Sequence, residues 1–66
     1  MTNLPSNGDI IIFDRVPNSS YARIGEAYKV YRSLNPRGDI HLTSVNRGSS
    51  GMDRPSTYKH AEWHLA

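Results

Sequence analysis

The sequence predicts an all-β domain, a small barrel of about five short antiparallel strands, and three observations lead there. Turn-forming residues recur along the chain, at Ser6-Asn7-Gly8, Pro17-Asn18-Ser19-Ser20, Asn35-Pro36-Arg37-Gly38 and from Asn46 through Gly51 to Pro55. Gly, Asn and Pro supply the backbone angles that turns require. The stretches between them run to about 8 to 14 residues, the spacing of short strands in a sandwich or barrel. These stretches are also rich in β-branched and aromatic residues, and several alternate apolar with polar, the pattern of a half-buried strand.

Segment 9–16, Asp-Ile-Ile-Ile-Phe-Asp-Arg-Val, is a strand by propensity. Both of its faces are apolar, so periodicity does not choose between Ile10 with Ile12 and Ile11 with Phe13 as the inward set. Segment 21–34 supports two readings. Ile24, Ala27, Tyr28, Tyr31 and Leu34 form a helical stripe, but Gly25 would weaken a helix by about 1 kcal/mol, and Tyr-Lys-Val-Tyr favours a strand over 26–32. In segment 39–45, Ile40 and Leu42 alternate with His41 and Thr43, and the Asn35–Gly38 turn joins it to the preceding strand as an antiparallel hairpin. In segment 57–65, Ala61, Trp63 and Leu65 alternate with His60, Glu62 and His64. A strand is preferred there; a short helix capped by Ser56 or Thr57 is the alternative. Trp63 is expected to be a core residue, and 48–53 a mobile loop with Met52 as its single apolar side chain.

The chain has 66 residues, room for one domain, which we place at 8–66 behind an N-terminal arm at 1–7. A chain of this size buries only about 60% of its unfolded surface, and small domains often need a staple. There is no cysteine, so no disulfide supplies one. One face of 9–16 must also lie outside a small barrel, which makes a two-fold homodimer an expected partner arrangement. No apolar run approaches the ~18 residues of a membrane helix. Met1-Thr2-Asn3-Leu4-Pro5 has neither a basic nor an apolar signal region. No membrane association and a cytoplasmic location are therefore expected. The formal charge of +2 tolerates an acidic protein or a nucleic acid but demands neither.

At the level of packing and turn positions, Gly8-Asp9-Ile10-Ile11-Ile12 resembles the opening strand of SH3-like barrels. Ile24-Gly25-Glu26-Ala27-Tyr28-Lys29-Val30 resembles the segment after their first long loop, and Glu62-Trp63-His64-Leu65 their closing strand. The chain thus resembles the small SH3-like β-barrel proteins encoded by phages and bacteria. The resemblance implies an SH3-like barrel and a class of accessory proteins of mixed function; it implies no chemistry. The Val-Gln-Ile-Tyr motif of the plasmid-borne trimethoprim-resistant dihydrofolate reductases, also short SH3-like chains, is absent, so that activity is not carried over.

His60, Glu62 and His64 would point to one side of a strand, a donor set apt for zinc or iron. Alternate strand residues stand ~6.5 Å apart, however, and the spacing is not His-Glu-x-x-His. A solvated face opposite Ala61, Trp63 and Leu65 explains the run more simply. Ser19, Ser20, Ser49, Ser50 and His41 offer nucleophile and base types without any geometry, and Gly48-Ser49-Ser50-Gly51 lacks the Lys-Ser/Thr of a phosphate loop. No catalytic residue, metal or cofactor is assigned, and the chain is read as a non-enzyme. Six arginines, Arg15, Arg23, Arg32, Arg37, Arg47 and Arg54, fall in loops or near strand ends, with tyrosines interleaved. Arg with Tyr suits a protein hot spot, or phosphate contact with base stacking. The candidate partner-binding residues are Tyr21, Arg23, Tyr31, Arg32, Arg37, Arg47 and Arg54. The expected function is a non-catalytic binding module, an accessory protein docking on a host or viral protein, with a nucleic-acid-binding barrel as the second reading.

Overall fold

The computed structural model describes residues 4–18 and 20–66; Ser19 and the first three residues of the expected arm lie outside the described residues. Five strands form one antiparallel sheet: β1 (Ile10–Arg15), β2 (Ala27–Arg32), β3 (Ile40–Ser44), β4 (Ser50–Asp53) and β5 (Glu62–Leu65), with a 3₁₀ helix (Pro55–His60) before β5. The order across the sheet is β4-β3-β2-β1-β5. The all-β, five-stranded antiparallel expectation is met. β4 and β5 stand at the two ends of that order, so the ladders among the described residues do not close it into a cylinder.

Register settles which face is inside. Ile11 lies opposite Tyr28, and Val30 opposite Leu42. These side chains share one face with Phe13 and Ile40, and all are buried. Ala22 from the long β1–β2 connection and Tyr58 from the 3₁₀ helix complete the cluster. Phe13 is its centre, with ring centroids 5.9 Å from both Tyr28 and Tyr58. Burying each such side chain contributes roughly 1.5–3 kcal/mol. The opposite face of β1 keeps Ile12 half-buried and Ile10 exposed.

The β1–β5 ladder slips between Phe13, opposite Trp63, and Arg15, opposite Glu62. Asp14 is the extra residue, and a bulge of this kind bends and twists its strand. The β1–β2 connection folds back on the sheet: Gly25 N–H donates to Phe13 O at 3.2 Å, and Asn18 N–H to Thr57 O at 3.3 Å. The described part of the arm is docked rather than loose. Leu4 packs on the core, Pro5 is buried, and Arg32 donates from its Nη1 to Pro5 O at 3.0 Å.

Three expectations change. Segment 57–65 is not one strand: Pro55 starts a 3₁₀ turn, as proline readily does with its preset φ, and it carries Tyr58 into the core before β5 begins. The expected loop at 48–53 becomes strand β4 from Ser50 onward, because β3 supplies a pairing edge at Thr43–Ser50 and His41–Met52. Trp63 is half-buried and packed against the core rather than at its centre. Tyr58, Tyr28 and Phe13 fill the interior instead.

Candidate functional site

Each expected partner-binding residue has a definite place. Tyr21 is built into the fold: its hydroxyl donates to Leu42 O, and its ring meets Tyr28 edge-on at 5.7 Å. Burial, chiefly, pushes its phenol above the ordinary range. Arg32 is turned along the domain toward Pro5 and Gly38. Arg47 clasps Glu26 through Nη2 at 2.8 Å and Nε at 2.9 Å, and Ser44 Oγ donates to the same carboxylate oxygen at 2.8 Å. Arg15 lies 3.8 Å from Glu62. Arg23 and Arg54 are exposed. Arg47 and Arg15 are thus partly neutralised, which lowers the positive charge open to a phosphate backbone.

Among the described residues, two surface groupings include expected residues. The first is on the outer face of the sheet, where Tyr31, His41 and Met52 stand opposite one another across β2, β3 and β4. Tyr31 is 58% exposed and Met52 55% exposed, and Tyr31 meets the His41 ring edge-on at 5.7 Å. Their positions on adjacent strands hold them rigidly, because cross-strand neighbours lie within side-chain reach. Sequence reasoning named Tyr31 but missed His41 and Met52. Only the β3–β4 pairing shows that they align with it. The second grouping is a cleft of about 370 Å³ lined by Arg37, Arg54, Pro55 and Ser56. It brings together two of the expected arginines, one from the β2–β3 loop and one from the start of the 3₁₀ helix.

The His60, Glu62 and His64 run does not converge. His60 ends the 3₁₀ helix, Glu62 faces Arg15, and His64 Nδ1 lies 2.9 Å from Asp14 Oδ2. Among the described residues no group of three or more His, Asp or Glu side chains is placed to hold a metal ion. No helix among them is long and apolar enough to cross a membrane.

Two carboxylates are shifted in opposite senses. The hydrogen bond from Arg47, and then that from Ser44, hold Glu26 below its ordinary value; burial pushes Asp53 up, against the hydrogen bond it accepts from Ser20 Oγ at 2.9 Å. Glu26 therefore contributes stability that is present above its unfolded value of 4.5 and is lost as pH falls through its lower folded value. Asp53 does the reverse. Its ionised form costs stability above its raised folded value, and that cost is relieved as pH falls through it. Thermal melts between about pH 7 and about pH 3 should show this. Glu26→Gln should be least stable relative to wild type near neutrality, with the deficit shrinking in acid. Asp53→Asn should compare best with wild type near neutrality and lose that advantage in acid. Trends of the opposite sign would show the assigned partners to be wrong.

Compared with known proteins, the chain matches no family model, no curated protein and no solved structure.

Proposed function

We propose that the chain is a non-catalytic binding module that docks on a larger protein, an accessory factor of the kind phages and mobile elements encode. The observation that carries this reading is the Tyr31–His41–Met52 row, an aromatic and a thioether more than half exposed on a rigid sheet face. Tyrosine, methionine and arginine are the residue types enriched where proteins meet, and hot spots centre on such aromatic anchors. Exposed Ile10 and Val45 add further apolar surface. A nucleic-acid interface ranks second, because Arg15, Arg37 and Arg47 are each beside a carboxylate. A second copy of the chain is the alternative occupant of the same face.

The test is capture of a specific protein by the immobilised chain, repeated with Tyr31→Asp and Met52→Asp. Both positions are exposed, so both variants should keep the wild-type melt. Loss of the captured protein with either variant is expected. A wild-type chain that retains nothing beyond what the two variants retain sinks the reading. Sedimentation equilibrium on the same variants reports whether the occupant is another copy.

A further inference from the structure

We infer that the cleft between the β2–β3 loop and the 3₁₀ helix seats a glutamate carboxylate from an extended acidic segment of the partner protein. The inference rests on the docking reading above and names the chemistry of that partner.

Among the described residues four line the cleft, and each has a part. Arg37 is held from behind: its Nη2 donates to Asp39 Oδ2 at 3.0 Å, and the Asp39 carboxylate is wholly buried. Asn35 fixes that carboxylate in turn, donating to the same oxygen from Nδ2 at 2.8 Å. The Asn35 Oδ1 accepts from the backbone N–H groups of Gly38 at 2.8 Å and Asp39 at 3.2 Å. Gly38 has φ 66°, a left-handed conformation that glycine takes without strain. The loop is thus tied down by its own side chains, and Arg37 commits only one of its five N–H donors to Asp39.

Arg54 faces the same cleft and has no ion pair among the described residues. Its backbone is fixed, since its carbonyl accepts from Thr57 N at 3.0 Å and from Thr57 Oγ1 at 2.7 Å. Pro55 gives an apolar wall without an N–H, and Ser56 adds a hydroxyl.

The charges select the ligand. Two guanidiniums and one buried carboxylate leave a single positive charge, which one carboxylate neutralises. Arginine forks match carboxylate oxygens in paired hydrogen bonds. The methylene stem of glutamate suits the Pro55 wall, and a cleft of about 370 Å³ has room for one or two side chains. A phosphate backbone would need a run of cations, and elsewhere on the surface Arg47 and Arg15 are already beside Glu26 and Glu62. Because the Arg37 guanidinium is already held by Asp39 and the Arg54 backbone by Thr57, part of the ordering that would oppose binding is in place beforehand.

The experiment is an amide NMR titration of the full chain at low salt. The probe is the blocked peptide acetyl-Pro-Glu-Glu-Pro-Glu amide, with its Gln counterpart and an oligothymidylate as controls. Shifts should cluster at Arg37, Gly38, Arg54 and Ser56 with the Glu peptide alone. Arg54→Gln, at an exposed position that leaves the fold intact, should weaken binding by about tenfold or more. Arg37→Gln should do the same, with its melt recorded because it leaves Asp39 less well paired. Equal shifts with the Gln peptide, shifts elsewhere on the surface, or a stronger response at these residues to the oligothymidylate would each overturn the inference. Should Tyr31→Asp abolish partner capture while the Glu peptide leaves the cleft unshifted, the docking reading stands and this one falls.

Discussion

Phe13→Ala is expected to remove about 3–5 kcal/mol, a third or more of the chain's stability. The Phe13 side chain has no exposed surface and contacts the rings of Tyr28 and Tyr58 at 5.9 Å. Truncating a buried phenylalanine costs about 3–5 kcal/mol, because the cavity adds to the lost transfer energy. A domain of 66 residues has only about 3–10 kcal/mol in hand, and no disulfide stands behind it. Circular dichroism and a urea titration read the outcome. Two companions separate a core effect from a general sensitivity. Tyr58→Phe should be neutral or stabilising, since the Tyr58 hydroxyl is buried without a hydrogen-bond partner among the described residues and removing such a group relieves its desolvation cost. Trp63→Ala should cost less than Phe13→Ala, as Trp63 is only half-buried. A cooperative wild-type-like melt for Phe13→Ala would place the centre of the core elsewhere.

Gly51→Ala should lower stability by about 1–3 kcal/mol, the usual cost of overpacking a closely fitted site, or roughly 4–20 °C in Tm for a chain this small. A methyl group at Gly51 would lie 2.6 Å from Cδ1 and Cε1 of Tyr21, well inside contact distance. The ring cannot swing away freely. Its hydroxyl is bonded to Leu42 O and its ring stands edge-on against Tyr28. The backbone of Gly51 is not left-handed, so the penalty is one of packing and not of φ. A double variant with Tyr21→Ala separates these causes: once the ring is gone, the added methyl should cost little, giving clear non-additivity. Additive losses in the double variant would locate the Gly51 requirement in the backbone.

Part of this architecture was readable from local chemistry. The β-branched run Ile10-Ile11-Ile12-Phe13, the Tyr-Lys-Val-Tyr segment and the Ile40/Leu42 alternation become β1, β2 and β3. The Asn35-Pro36-Arg37-Gly38 turn makes the β2–β3 hairpin. Each is legible because propensity, turn chemistry and period agree over a few residues. Ser50-Gly51-Met52-Asp53 has none of these signals, and it is a strand because β3 offers it a partner and Tyr21 needs a residue without a side chain beneath its ring. The candidate site follows the same division. Arginine and tyrosine at exposed turns could be named from composition. Composition did not show that Glu26 takes Arg47, that Pro5 and Gly38 take Arg32, or that Arg37 and Arg54 share a cleft.

By itself, then, the sequence determined the class of structure, the hairpin, and the pool of residues from which a binding surface could be drawn. These depend on short-range backbone preferences that a few neighbouring side chains decide. The tertiary structure alone decided which face of β1 is buried, since both faces are apolar and only pairing with Tyr28 and cover from Tyr58 distinguish them. It alone aligned Met52 with His41 and Tyr31, and it alone left Arg54 without an ion pair among the described residues while Arg15, Arg37 and Arg47 found carboxylates. Such choices are made between residues far apart in the chain, through register and burial, and no local pattern carries them.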